Sequence, residues 1–264
     1  RVGSDCPSCH HPQLNTQGHG TERVEHLLCS HFPDTPVIRI DRDTTSRKGE
    51  MARKLDIVRS GEPVILIGTQ MLTKGHDFPN LTLVGILDID QALFSTDYRA
   101  QEHLAQQIVQ VSGRAGRGDK SGRVFLQTSQ PQHPMLNQLI TQGYRAVAQQ
   151  ILYERKAWHY PPYGFQALVR ANAPEFEVGL HFLQTLRDDI ESLPDIQSEG
   201  VMLLGPMPSP MEKRANRYRY QLLISAQRRS SLHCFLDQLI SVLRQQKKTK
   251  DLRYTVDVDP TNFM

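Results

Sequence analysis

Two arginines three residues apart, Arg114 and Arg117, sit among glycines in the string Gln110-Val111-Ser112-Gly113-Arg114-Ala115-Gly116-Arg117-Gly118. Glycines let backbone approach a ligand closely, and paired guanidinium forks clamp a polyphosphate and neutralise the charge that develops as a phosphoryl group transfers. Arginine fingers work this way. The competing reading is a glycine-rich turn with solvated arginines, a coincidence that short motifs do produce. A second string, Ile67-Gly68-Thr69-Gln70-Met71-Leu72-Thr73-Lys74-Gly75-His76-Asp77-Phe78-Pro79, directly follows an apolar run. In open α/β sheets the loops that leave the carboxyl ends of strands form the ligand crevice, so Thr69, Gln70, Gly75 and Asp77 are placed for a nucleotide or a nucleic-acid backbone. An ordinary connection built on Asp and Gly turn chemistry explains the glycine but not the whole string.

Three further groups carry chemistry. Cys6-Pro7-Ser8-Cys9 is half of a zinc site, because tetrahedral zinc takes four ligands and one Cys-x-x-Cys pair supplies two. His10 and His11 adjoin Cys9 too closely to complete that geometry easily, and Cys29 reads as a buried helix residue. In Met211-Glu212-Lys213-Arg214-Ala215-Asn216-Arg217-Tyr218-Arg219-Tyr220, four cations alternate with two tyrosines after Gly205-Pro206-Met207-Pro208-Ser209-Pro210. Such a loop contacts phosphates through Lys213, Arg214, Arg217 and Arg219, although a charge run is also what a solvated face looks like. Trp158 and Tyr160 beside two prolines are expected to pack a linker rather than to stack bases. Asp88 and Asp90, at a strand end, are expected to position the chain by hydrogen bonds rather than to hold a metal.

These residues need elements to position them. From about Thr21 to Thr128 helix and strand signals alternate. Thr21 is a candidate cap for a helix with Val24, Leu27, Leu28 and His31 on one face, and Val37-Ile38-Arg39-Ile40 follows as a strand. Met51, Leu55 and Val58 recur at helical spacing. Val64–Ile67 and Leu81–Leu87 are nearly continuous apolar runs, as expected of strands covered on both faces. A helix through Leu104, Ile108 and Val111 leads to the strand Val124-Phe125-Leu126, and the alternation implies a parallel sheet sandwiched by helices. A long helical run from Met135 to about Lys156 then enters Tyr160-Pro161-Pro162-Tyr163-Gly164. The remainder reads strand 165–172, helix 175–192, strand 200–204, strand 217–226, helix 230–246, strand 252–258, the βαββαβ order of a ferredoxin-like unit. The expected organisation is residues 1–14, 15–134, 135–164 and 165–264.

Composition narrows the class. The 264 residues, 38% hydrophobic and 22% charged, fit a folded chain of about two domains, which excludes collagen and disorder. The net charge of +3 is mild, so a basic surface must come from clustering. Nothing reaches the roughly 20 apolar residues of a membrane span, and the start Arg1-Val2-Gly3-Ser4-Asp5 lacks the core of a signal peptide, so the chain reads as cytoplasmic with no membrane partner. Four cysteines do not make a disulfide scaffold.

Together the Ile67–Pro79 and Gln110–Arg117 strings resemble motifs V and VI of superfamily 2 helicases. With Leu87-Asp88-Ile89-Asp90-Gln91-Ala92-Leu93-Phe94-Ser95-Thr96-Asp97-Tyr98-Arg99-Ala100, the Tyr160-Pro161-Pro162-Tyr163 turn and the closing Asp257-Val258-Asp259-Pro260, nearly the whole chain is similar to the bacterial replication-restart helicases of the PriA (primosomal protein N′) family. The resemblance implies a second RecA-like motor lobe followed by a C-terminal DNA-binding domain of an ATP-dependent 3′-to-5′ DNA helicase. It implies nucleotide contacts by Gly75, Asp77, Gln110 and Gly113, catalytic arginines at Arg114 and Arg117, and tracking-strand contacts by Thr69 and Gln70. It makes Cys6 and Cys9 the last pair of a zinc-binding insertion, inside which the chain starts. Implied cofactors are ATP, Mg2+ and Zn2+; implied partners are branched and single-stranded DNA, a first helicase lobe, primosome proteins and single-stranded DNA-binding protein. One departure is plain. Gly113–Ser121 nearly spells a phosphate loop, but Asp119 precedes Lys120 and would repel phosphate, and a strand rather than a helix follows. The phosphate-loop lobe and its magnesium-binding carboxylates are therefore expected to lie outside this chain, which alone is expected to be inactive. The alternative is a non-catalytic nucleic-acid-binding protein built on the C-terminal domain.

Overall fold

Apolar residues at helical and strand spacing fold into two units, Arg1–Val147 and Ala148–Met264, in a computed structural model that describes residues 20–41, 44–45, 49–69, 78, 80–115, 122–193, 200–246 and 250–263.

In the first unit α1 (Thr21–His31) leads to β1 (Val37–Ile40), α2 (Glu50–Arg59) and β2 (Ile65–Gly68); β1 and β2 pair in parallel, Val37 opposite Ile65. Their core joins Ile38, Ile40, Leu55 and Phe78, with Met51 and Val58 of α2 against it, as the helical spacing predicts. Next come β3 (Leu83–Ile86), the one-turn α3 (Asp90–Leu93), α4 (Ala100–Ser112) and β4 (Arg123–Leu126), where β3 and β4 again pair in parallel. The expected α/β unit with parallel strands is present. Three details differ. Thr21 does not cap α1, whose first turn opens at Gly20 without a side-chain cap; its hydroxyl goes to Asp41 instead. The α1 stripe is narrower than expected, since Leu27 and His31 are exposed, and Cys29 is exposed rather than buried. The apolar strands β3 and β4 are open on one face among the described residues, where Leu83 and Phe125 are exposed.

The expected single helix from Met135 is two, α5 (Pro134–Gln142) and α6 (Tyr144–Ala157). Gly143 separates them at φ +81°, a left-handed conformation that ends a helix at little cost only for glycine.

The second unit runs β5 (Phe165–Ala173), α7 (Phe176–Glu191), β6 (Val201–Arg214), β7 (Arg217–Ala226), α8 (Arg229–Gln245) and β8 (Arg253–Val258), and its antiparallel sheet has the order β6-β7-β5-β8. Strand alternation sorts the side chains. Ala167, Val169 and Ala171 of β5 and Tyr220, Leu222 and Ile224 of β7 face Leu183, Leu186 and Ile190 of α7 and Leu232, Phe235 and Leu239 of α8. An ideal Cβ at Gly179 would lie 3.0 Å from the Tyr220 ring, so glycine lets α7 approach the sheet. The largest departure is β6, which continues ten residues beyond the expected Leu204. It does so through a bulge at Gly205, at φ +108°, whose carbonyl accepts a hydrogen bond from Arg187 Nη1. Pro206, Pro208 and Pro210 read as loop in sequence, yet β6 is an edge strand, where a proline's missing N–H deprives no neighbour and discourages pairing with another chain.

Candidate nucleotide and nucleic-acid interfaces

Each parallel strand pair of the first unit ends in an aspartate held by hydroxyl and amide donors. Asp41, just past β1, is buried and accepts from the Thr44 amide at 2.8 Å and the Thr21 hydroxyl at 2.8 Å, with Arg39 Nε 3.1 Å away. Burial alone would raise its carboxyl, but the hydrogen bonds from Thr44 and Thr21 and the Arg39 charge outweigh burial and hold it below the usual carboxylate range. Asp90 opens α3 and accepts from the Ser129 hydroxyl at 2.5 Å, the Ser129 amide at 2.9 Å and the Thr128 hydroxyl, bonds that lower its carboxyl as well. Asp88, at φ +51°, accepts from Gln91 at 2.6 Å, and its amide donates to the Gln127 side chain at 3.3 Å. The Asp90 carboxylate and the Asp88 amide tie the ends of β3 and β4 together, as expected of positioning residues. Among the described residues no three metal-ligating side chains cluster.

A pH dependence follows from the sign of those shifts. Because both folded-state values lie below the unfolded value, each contribution is full above about pH 4 and is lost as pH falls through the folded-state value. In denaturant unfolding, Asp90→Asn is expected to be less stable than the parent at neutral pH and to converge with it in acid. A difference that stays constant down to acid unfolding would contradict this role.

Thr69 leaves the carboxyl end of β2 exposed, where the crevice argument puts it. The other string is delivered by α4. Leu104, Ala105, Ile108 and Val111 form its buried stripe, Gln110 points to the exposed side, and the helix closes with Ser112 Oγ donating to the Ile108 carbonyl at 2.6 Å and the Arg114 amide to that of Val111 at 3.0 Å. Gly113 has room for a Cβ, 3.5 Å from the nearest atom, so the backbone there does not itself demand glycine. A β3-α4-β4 crossover between parallel strands returns the chain to the amino end of β4, so Gly113 and Arg114 lie at the amino end of their pair while Thr69 lies at the carboxyl end of its own. Cys6, Cys9, Gln70, Gly75, Asp77 and Arg117 fall outside the described residues.

In the second unit the basic loop is a β-hairpin. Ala215 and Asn216, at φ +48° and +60°, make the tight two-residue turn between β6 and β7, with Arg214 opposite Arg217 and Lys213 opposite Tyr218. Alternation then splits the four expected cations. Arg214, Arg217 and Arg219 share the face opposite α7 and α8, whereas Lys213 lies on the other, its Nζ 4.4 Å over the Tyr218 ring and 3.1 Å from the Tyr218 hydroxyl. Arg217 is a structural tie, donating to Asn172 Oδ1 at 2.8 Å, to the Asn172 carbonyl at 3.0 Å and to the Asp251 carbonyl. The register adds Arg253, which sequence reading missed: Asn172 pairs with Arg219 on one side and Arg253 on the other, so two guanidiniums flank one amide on the face opposite α7 and α8. Only pairing register, invisible in a single chain's sequence, brings Arg253 to this row. Further along the same face, Arg170 is committed to Asp257 at 2.7 Å and the Asn262 carbonyl at 2.5 Å. Arg214, Arg219 and Arg253 are thus the cations of this face placed for an external anion.

Residues 15–119 match the helicase conserved C-terminal domain, and residues 156–261 match the primosomal protein N C-terminal domain. The chain is 45% identical over 262 residues to the replication restart protein PriA of Haemophilus influenzae, covering 99% of this chain and 35% of that protein. It is 42% identical over 262 residues to the same-named protein of Synechocystis, covering 98% of this chain and 30% of the relative. For that of Bacillus subtilis the values are 35% over 263 residues, 100% of this chain and 32% of the relative. The chain spans about a third of the length of these relatives. A helicase C-terminal domain followed by the primosomal domain, in a chain similar over its full length to proteins of one name, makes this chain a member of the PriA family, corresponding to its C-terminal portion.

Proposed function

We propose that this chain supplies the second motor lobe and the C-terminal DNA-binding domain of an ATP-dependent 3′-to-5′ DNA helicase that restarts stalled replication forks and assembles the primosome. The observation that carries the reading is the succession of a helicase C-terminal domain over residues 15–119 and a primosomal C-terminal domain over residues 156–261. The first unit is then a RecA-like lobe and the second a ferredoxin-like domain, whose βαββαβ order and β6-β7-β5-β8 sheet support that description. ATP with Mg2+ would lie between this lobe and a partner lobe that provides the phosphate loop, with Gln110, Gly113, Arg114 and Arg117 approaching from this side and Gly75 and Asp77 between nucleotide and DNA. Arg114 and Arg117 have one chemical task there, to neutralise the charge that develops on the transferring phosphoryl group. Thr69 and Gln70 would hold phosphates of the tracking strand, and lobe closure on ATP would advance it. Cys6 and Cys9 would contribute two of the four ligands of a structural zinc. Primosome proteins and single-stranded DNA-binding protein are the expected protein partners.

The DNA-binding half of this reading is tested through salt. Every arginine–phosphate pair removed from a duplex complex flattens the log–log dependence of affinity on salt by about 0.9. Replacing Arg214, Arg219 and Arg253 together by alanine is expected to weaken binding of a forked duplex and to lower the slope by up to about 2.7, one increment per arginine. Lys213→Ala, on the other face, is expected to change the slope by much less. Equal slopes for the triple variant and the parent would remove the Arg214, Arg219 and Arg253 row as the DNA surface.

A further inference from the structure

Four aromatic side chains lie within eleven residues at the start of the second unit, Tyr153, Trp158, Tyr160 and Tyr163, and none of them is buried. Tyr153 and Trp158 are each 72% exposed. Aromatic rings ordinarily carry burial, and the expectation that Trp158 packs the linker is not met. The segment is nonetheless tightly built. The Trp158 amide donates to the Glu154 carbonyl at 3.1 Å, the Tyr160 amide to that of Arg155 at 2.8 Å and the Tyr163 amide to that of Tyr160 at 2.9 Å. Gly164 closes the loop so firmly that a Cβ there would sit 2.0 Å from the His159 carbonyl oxygen. A rigid loop that holds large rings out in water, rather than folding them in, presents them to something.

The surrounding chemistry selects the occupant. Between the rings stand the exposed Lys156, Arg155, whose Nη1 donates to the Pro161 carbonyl at 3.5 Å, and two prolines; the acid Glu154 is engaged by the Gln150 side chain at 2.8 Å. Rings interleaved with cations suit a chain that alternates flat apolar faces with anions, which describes single-stranded nucleic acid. The loop precedes Phe165, at one end of β5, while Arg219 and Arg253 flank Asn172 near the other, seven strand steps or about 23 Å away. From these observations we propose that Tyr153–Tyr163 is a stacking platform for unpaired bases, with Trp158 as its principal ring, separate from the arginine row. The inference rests on the DNA-binding reading above and adds a second, base-contacting surface to it.

The sequence contains a single tryptophan, so the intrinsic tryptophan emission of the whole chain reports on Trp158. An oligothymidylate is titrated while tryptophan emission and the anisotropy of a label on the oligonucleotide are followed together. Emission is expected to be quenched in step with the anisotropy rise, and an abasic oligomer of the same length is expected to bind without quenching. Because one stacked base is worth about 1–3 kcal/mol, Trp158→Ala is expected to weaken oligothymidylate binding by about fivefold or more, and Trp158→Phe, which keeps a ring, by much less. The Arg214, Arg219 and Arg253 triple variant is expected to retain the quenching at saturation. Full binding by anisotropy with unchanged emission and unchanged Trp158→Ala affinity overturns the platform and leaves DNA binding by the chain intact. No anisotropy change at any concentration overturns both.

Discussion

Alanine at Arg114 or at Arg117 is expected to lower DNA-stimulated ATP turnover by on the order of 10³-fold, with DNA affinity within about twofold of the parent. The measurement belongs in a chimera in which this chain replaces the 262 residues it matches in the Haemophilus influenzae relative, whose remaining length is expected to supply the phosphate-loop lobe. The effect is electrostatic. A guanidinium aimed at the phosphoryl group costs little in the ground state, where magnesium already balances much of the charge, and acts most strongly as charge shifts toward the leaving oxygen. Removing it therefore lowers turnover more than it weakens nucleotide binding. Arg114 lies beyond the last turn of α4, whose buried stripe is Leu104, Ala105, Ile108 and Val111, and urea unfolding of the variants separates the effect on turnover from one on folding. Lysine at either position restores charge but not the planar fork, and is expected to recover only part of the loss. Turnover within a factor of about three of the parent in both alanine variants would make the string a glycine-rich turn with solvated arginines.

The second large effect concerns stability. Gly164→Ala is expected to destabilise the second unit by about 3 kcal/mol or more, over a hundredfold in the folding equilibrium. The added methyl would lie 2.0 Å from the His159 oxygen and 3.0 Å from its carbonyl carbon, both backbone atoms that no rotamer change can move aside. Two other glycines serve as controls. Gly20 has nothing within 4 Å and an ordinary φ, so alanine there is expected to be nearly neutral. Gly143 also has open space but sits at φ +81°, so alanine is expected to cost about 1 kcal/mol through backbone strain alone. Urea unfolding of the three variants ranks them. A Gly164→Ala chain within about 1 kcal/mol of the parent would mean that the Trp158–Gly164 loop relaxes freely and is not the rigid support described above.

Elements with a clean apolar period were legible in the sequence. The stripes Met51-Leu55-Val58 and Leu104-Ile108-Val111, the short strands and the βαββαβ order all appear where periodicity puts them, because burial of one face dictates that spacing. Where one residue serves two readings, the reading failed. Prolines mark loops in general, yet on β6 they mark an edge strand, a distinction that depends on which strands lie beside it. Thr21 is a good cap by type, but a buried Asp41 twenty residues away competes for its hydroxyl. The basic run was visible as composition, whereas its division into Lys213 on one face and arginines on the other depends on the turn at Ala215-Asn216. Arg253 joins the cluster through pairing with Asn172 of β5, far away along the chain, a relation no local pattern encodes.

DNA-stimulated ATP hydrolysis by the Haemophilus influenzae chimera tests the central claim most directly. If this chain is the second motor lobe and DNA-binding domain of the helicase, the chimera hydrolyses ATP when forked DNA is added, whereas the Haemophilus influenzae protein without those 262 residues and the isolated chain do not. A chimera that is folded and binds forked DNA yet hydrolyses no more ATP than the isolated chain would contradict the account.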